Sequence, residues 1–231
     1  MAGAGAVYVF ERSGTSFNFT QKIIPMGTNM RNAGDGFGTT LAFDDTTLAV
    51  SSPNIGFDIN GNPTSGNTGL IFLFEFDSNN MFVQKDIVGE FGYMSNQNGD
   101  MFGSAIAIRN NLLVASSISH GYGISDDDSQ ITGAGAAWTF YKNDTGWVNG
   151  SKIIPTGANS RNENDQFGYS LDIDDTSYLC AIGSINHGYN SSGLNPITNS
   201  GAVWVFESSS SDPTIWNQIK KLVQTGDERT S

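Results

Sequence analysis

Short apolar runs separated by polar turns recur along the chain, and two of these runs return in fixed phase. Gly5-Ala6-Val7-Tyr8-Val9-Phe10 comes back as Gly69-Leu70-Ile71-Phe72-Leu73-Phe74, as Gly135-Ala136-Ala137-Trp138-Thr139-Phe140 and as Gly201-Ala202-Val203-Trp204-Val205-Phe206. Asp35-Gly36-Phe37-Gly38 comes back as Asp100-Met101-Phe102-Gly103 and Asp165-Gln166-Phe167-Gly168, at a constant step of 65 residues. Two motifs locked to one period mean a unit copied in tandem, so the chain is read unit by unit.

In the unit that begins at Asp35, Phe37 to Phe43 predicts a first strand and Asp44-Asp45-Thr46-Thr47 a tight hairpin turn, because Asp and Thr bond their own backbone there. Leu48 to Ser51 is the second strand, and a polar connection from Pro53 to Thr68 leads to a third over Gly69 to Phe76. Asp77-Ser78-Asn79-Asn80 then turns the chain into a fourth strand, Met81 to Val88. The same order predicts strands over Phe102 to Ile108, Leu112 to Ser116, Ala134 to Tyr141 and Trp147 to Ile154. It does so again over Phe167 to Ile173, Tyr178 to Ile182, Gly201 to Glu207 and Trp216 to Val223. Third strands such as Ile71-Phe72-Leu73-Phe74 are apolar throughout, the pattern of a strand covered on both faces. An immunoglobulin-like sandwich would alternate apolar and polar positions, whereas four strands per 65-residue unit is the arithmetic of a β-propeller blade. The expected fold is therefore all-β, a propeller of three complete blades plus a half blade. The half blade covers 1–28, and the blades cover 29–92, 93–157 and 158–231.

Composition narrows the partners. A formal charge of -12 with only 11 Lys plus Arg disfavours nucleic acid and anionic membranes, both of which need clustered cations. No apolar stretch is long enough for membrane insertion as a helix, and residues 1–20 lack the basic start and apolar centre of a signal peptide. The single cysteine, Cys180, sits in an apolar run and reads as a small core residue. Acceptor sequences for N-glycosylation stand at Asn18, Asn143, Asn149 and Asn190, so a glycoprotein is permitted.

Phe-Gly on the first strand, small residues after the second and Gly-Ala-Val-Tyr-Val-Phe on the third resemble the FG-GAP repeat, the blade unit of the integrin alpha-subunit propeller. The likeness runs over nearly the whole chain, with a degraded middle motif at Ser51-Ser52-Pro53, Ser116-Ser117-Ile118 and Gly183-Ser184-Ile185. It implies an extracellular or cell-surface recognition and adhesion module that binds a protein or a glycan without catalysis. Integrin-type repeats often carry a calcium loop between strands one and two. Here those connections are Asp44-Asp45-Thr46-Thr47, Arg109-Asn110-Asn111 and Asp174-Asp175-Thr176, too short to wrap the ion. The remaining Ca2+ candidates are Asp58, Asn60 and Asn62 in a long loop, and Asp126 with Asp128 in the next one.

The long loops repeat an element, Asn54-Ile55-Gly56-Phe57, Ser119-His120-Gly121-Tyr122 and Asn186-His187-Gly188-Tyr189. Loops on a rigid scaffold are where binding usually resides. Asn54, Phe57, His120, Tyr122, His187 and Tyr189 are thus candidate ligand-binding residues, with Tyr122 and Tyr189 as stacking platforms. Arg31 and Arg161 lie four residues before Asp35 and Asp165, with Asn96 in the same place before Asp100. They are read either as staples onto those aspartates or as a basic spot for an acidic ligand. Asp35, Asp100 and Asp165 follow the fold period, which favours turn capping over acid/base chemistry. A carbohydrate-active enzyme would need a carboxylate pair at unique positions, and none stands out. The chain begins at a third strand and holds three and a half units, so the expectation is a piece of a larger propeller, or a subunit whose open blade another copy completes by strand addition. In the second case the chain would self-assemble into a filament or surface coat.

Overall fold

The computed structural model describes residues 1–92, 94–125, 129–174, 178–209 and 212–224, and among them the chain is all-β, with no helix that could cross a membrane. The half unit is a two-stranded antiparallel sheet of β1 (Val7–Ser13) and β2 (Ser16–Ile23). Unit one follows with β3 (Leu41–Phe43), β4 (Thr47–Ser52), β5 (Leu70–Phe76) and β6 (Phe82–Val88), in sequential antiparallel order. Unit two has β7 (Ile106–Arg109), β8 (Leu112–Ser117), β9 (Ala136–Asn143) and β10 (Gly146–Ile153). Unit three has β11 (Phe167–Ile173), β12 (Leu179–Ser184), β13 (Ala202–Ser209) and β14 (Asp212–Leu222).

The sheets stack in chain order, and the core is what lies between them. Leu70, Phe72 and Phe74 of β5 pack with Val7, Ile23 and Phe37 on the side of the half unit. Ile71 and Leu73 of the same strand point the other way, onto Phe102, Trp138 and Phe140 of unit two. Trp204, Phe206 and Phe167 of unit three meet Val114, Ala137 and Ile153 in turn. Burial on both faces explains why the third strands carry no polar alternation, and each buried aromatic or aliphatic side chain contributes about 1.5–3 kcal/mol.

The two repeated motifs interlock at each junction. Gly5 and Gly135 make parallel bridges to Phe37 and Phe167, and the Phe102 N–H donates to the Thr68 carbonyl beside Gly69 at 2.9 Å. A Cβ placed on Gly69 would lie 2.2 Å from the Phe102 carbonyl oxygen, and Gly69 has φ +87, so only glycine fits. The Phe-Gly ring then packs edge-on in its own unit, as Phe37 does on Phe72 at 5.5 Å and Phe102 on Trp138 at 5.8 Å.

Two first strands are shorter than the sequence predicts. β3 starts at Leu41 and β7 at Ile106, although the glycine after the phenylalanine has the same left-handed φ in all three units, 93 at Gly38, 89 at Gly103 and 95 at Gly168. The hydroxyls of Ser51 and Ser116 accept the N–H of Thr40 and Ala105 there, in place of ladder bonds. Unit three has Gly183 at that position, and β11 runs back to Phe167 through a register shift. The other strands fall within two residues of expectation except β14, which begins earlier, at Asp212. Cys180 is buried in the core, which pushes its thiol up to about 12.

Candidate functional site

The three repeated aspartates close turns. One carboxylate oxygen of Asp35 accepts the N–H of Asn32, that of Asp100 accepts Gln97 at 2.7 Å, and that of Asp165 accepts Asn162 at 2.8 Å. All three are buried, and burial raises the Asp35 carboxyl against the lowering effect of Asn32.

His120 and His187 are 0% exposed, which overturns their place as ligand partners at the loop surface. Each sits edge-on to the tryptophan of its own third strand, His120 at 5.1 Å from Trp138 and His187 at 4.8 Å from Trp204. Each also presents Nδ1 to the turn aspartate, at 3.1 Å from Asp100 and 2.8 Å from Asp165. The histidine loops are therefore tied inwards, to the Asp-x-Phe-Gly turn of the same unit. Tyr122, Tyr189, Asn54 and Phe57 remain half-buried at the loop face.

In unit two the histidine belongs to a larger cluster. The Lys152 Nζ lies 2.7 Å from His120 Nε2, donates to the Gly123 carbonyl at 2.7 Å and stands 5.4 Å above the Trp138 ring. Glu90 is buried 3.7 Å from His120 Nδ1, accepts the Asn96 N–H at 2.8 Å and takes the Ser117 hydroxyl in a short hydrogen bond. Burial first, and the Asp100 charge second, push the Glu90 carboxyl well above its ordinary value. Burial also lowers His120, against the opposing pull of Asp100.

Glu90, Asp100 and His120 bring three possible metal donors within 4.8 Å of one another. The hydrogen bonding assigns them otherwise. An ammonium has only donors, so Lys152 fixes Nε2 as the acceptor and leaves the proton on Nδ1, facing the carboxylates. Burial thus favours the uncharged forms of Glu90 and His120, and the half-buried Lys152 and the Asp100 carboxyl complete the cluster. Its chemistry is internal pairing.

The sequence reading missed Glu90 and Lys152. Val88-Gly89-Glu90-Phe91-Gly92 in phase with Ile23-Ile24-Pro25-Met26-Gly27 and Ile153-Ile154-Pro155-Thr156-Gly157 shows a glutamate where the other copies have proline. Lys152 faces Trp138 across the ladder as Lys22 faces Tyr8 and Lys221 faces Trp204, a pairing that strand register alone reveals.

Among the described residues no ion pair joins Arg31 to Asp35 or Arg161 to Asp165, the staple that the spacing suggested. Arg161 reaches back to unit two and donates to the carbonyls of Gly121 and Tyr122 at 3.3 and 3.1 Å, holding the histidine loop, while Asp165 is occupied by Asn162 and His187. Arg31 is half-buried, and its Nε is buried without a hydrogen-bond partner.

The loop of Asp58, Asn60 and Asn62 closes on itself. The Asp58 carboxylate accepts the N–H groups of Asn60 and Asn62 at 2.8 and 2.9 Å and the Asn62 carboxamide at 3.0 Å, and this last bond is the main cause of its lowered pKa. Asn190 builds the same turn in unit three, accepting from Ser192 and Leu194 at 3.0 and 2.8 Å with a neutral side chain. The same turn forms around a neutral asparagine, so its shape follows from side-chain-to-backbone hydrogen bonding alone. Asp126 and Asp128 lie outside the described residues. Of the glycosylation candidates, Asn18, Asn143 and Asn149 are exposed, while Asn190 is half-buried in its own turn.

Fold and site together define an all-β protein of tandem antiparallel sheets whose repeated acid and imidazole groups are spent inside the stack. No known protein family's sequence profile matches the chain, and no curated protein is significantly similar to it.

Proposed function

We propose that the chain is a non-catalytic recognition module, an FG-GAP-like propeller segment of a cell-surface or extracellular protein that binds a protein or glycan through its loops. The observation that carries this reading is the consumption of both histidines and all three repeated aspartates by turns and sheet packing, beside long loops recurring on a rigid stack. What remains at the loop face is aromatic and carboxamide surface around Asn54, Phe57, Tyr122 and Tyr189, which suits binding better than bond cleavage. The test is retention on glycan and peptide arrays. A bound ligand recovered unchanged supports the reading, and turnover of the ligand overturns it.

A second reading, assembly of copies into a filament or coat, is favoured by one separate observation. Tyr8 and Phe10 are 55% and 54% exposed on the half unit, whereas the equivalent pairs Phe72 with Phe74, Trp138 with Phe140 and Trp204 with Phe206 are buried. Phe17 and Phe19 enlarge that apolar face, and Val203 with Ile185 exposes the opposite end of the stack beside Gly201, the only one of the four repeated glycines without a phenylalanine backbone against it. Sedimentation across a concentration series separates the two readings: association that rises with concentration supports assembly, and a constant monomer removes it.

A further inference from the structure

The half unit has no first or second strand, and the three complete units show what occupies that place. β1 pairs with β2 alone, whereas β5, β9 and β13 each carry β4, β8 or β12 on their other edge. The register of that edge is constant. Leu48 and Val50 stand opposite Phe74 and Phe72, Leu113 and Ala115 opposite Phe140 and Trp138, and Cys180 and Ile182 opposite Phe206 and Trp204. Phe10 and Tyr8 are the matching residues of the half unit. Along the bare edge of β1 an apolar groove of about 460 Å³ runs between residues 7–10 and Leu41, Phe43, Phe76 and Phe82.

Two rows of side chains are exposed there for want of the same two strands. Phe43 is 49% exposed, while its counterparts Ile108 and Ile173 are 0% and 5% exposed inside the junctions to the preceding units. Tyr8 and Phe10 form the other row. In each complete unit the matching aromatic pair takes one more ring edge-on, the phenylalanine of Asp-x-Phe-Gly. Phe37 meets Phe72 and Phe74 at 5.5 and 6.1 Å, Phe102 meets Trp138 and Phe140 at 5.8 and 5.9 Å, and Phe167 meets Trp204 and Phe206 at 5.6 and 6.0 Å. All three of these phenylalanines are buried, and β4, β8 and β12 are each flanked on both edges. A second folded copy therefore has neither the ring nor the strand to offer.

We propose that the β1 edge accepts, by strand addition, an Asp-x-Phe-Gly hairpin presented by a different polypeptide, one whose unit breaks off after its second strand. The second strand of that hairpin pairs antiparallel with residues 7–10 and covers Leu41 and Phe43, and its phenylalanine sets an edge against Tyr8 and Phe10. This rests on the assembly reading only for the premise that another chain covers the half unit. The occupant itself is read from the repeated junctions.

The probe is a synthetic peptide of this chain's own residues 97–119, which carries Asp100-Met101-Phe102-Gly103 and the strand Leu112–Ser117. Labelled with fluorescein, it is titrated with the full chain by fluorescence anisotropy, and amide hydrogen exchange is read over residues 7–10. Saturable binding with slowed exchange at those amides is the expected result. Tyr8→Ser combined with Phe10→Ser in the chain, or Phe102→Ala in the peptide, should each weaken binding about tenfold or more. Both chain positions are exposed, so far-UV circular dichroism should not change, and the peptide variant leaves the chain untouched. No binding, binding undiminished by either change, or binding without protection at residues 7–10 overturns the proposal. A chain that associates with itself in the concentration series but ignores the peptide keeps the assembly reading and loses this one, whereas a constant monomer that binds the peptide does the reverse.

Discussion

Units one and two share a backbone plan and differ in what fills the same three places. Unit one has Ile55, Phe72 and Ile87 where unit two has His120, Trp138 and Lys152, and Phe72 pairs with Ile87 across the ladder as Trp138 pairs with Lys152. Both sets are built around the same turn aspartate, Asp35 or Asp100. The apolar set needs nothing further. The polar set carries a burial cost that has to be met by complete pairing, and Glu90 and Ser117 supply the last partners. The fold thus tolerates two solutions, and the difference lies in how they fail.

The largest effect expected from this contrast is in His120→Ala. It strands Asp100, Glu90 and Lys152 without their common partner and should cost about 3–5 kcal/mol, read by denaturant unfolding. Transplanting the unit-one set, His120→Ile, Trp138→Phe and Lys152→Ile with Glu90→Pro, should return most or all of that loss, since well-packed apolar replacement of a buried charged set is often neutral or better. If the single variant proves harmless, or the transplant as damaging as His120→Ala, the two sets are not equivalent solutions.

Next in size is a contrast between a filled junction and an open one. Gly135→Ala would put a Cβ 2.1 Å from the Phe167 carbonyl oxygen, and should destabilise by more than about 3 kcal/mol. Gly201→Ala meets nothing closer than 3.6 Å and should cost only the left-handed backbone term at its φ of +76, about 1–2 kcal/mol. Equal costs would mean that Gly135 and Phe167 are not locked together.

A smaller effect separates the units by pH. The Glu90 carboxyl is raised in the folded chain, so its contribution is full below its ordinary value of 4.5 and falls as pH rises through the folded value. His120 is lowered, so its contribution is full above 6.5 and falls as pH drops below it. Glu90→Gln keeps one acceptor oxygen for the Asn96 N–H, offers a carboxamide N–H that the Ser117 hydroxyl can accept, and removes the first slope. Its melting temperature relative to wild type should therefore be higher at pH 8 than at pH 4. An unchanged difference across that range would mean that Glu90 ionises freely. Smallest of all is Asp58→Asn, which copies Asn190 and should change stability by no more than about 0.5 kcal/mol, with no melting shift on adding calcium to either form. A calcium-dependent shift in the wild type alone would restore a metal to that loop.

Much of this architecture was legible in the period. The strands, the Asp-x-Phe-Gly turns and the doubly covered third strands follow from local patterning repeated in phase. What escaped were features set by contacts between repeats. The inward direction of His120 and His187 depends on an aspartate about twenty residues upstream and a tryptophan on the next strand, and neither is visible in the loop that holds the histidine. Arg161 looked paired with Asp165 because they are close in sequence, yet its length carries it to the loop of the preceding unit.

The most direct test of the claim that unit two spends its imidazole on internal pairing is nitrogen-15 NMR of His120 across a pH titration. A neutral ring with its proton on Nδ1 and a midpoint below the ordinary histidine value of 6.5 is the expected result. A proton on Nε2, or a midpoint at or above 6.5, would contradict it.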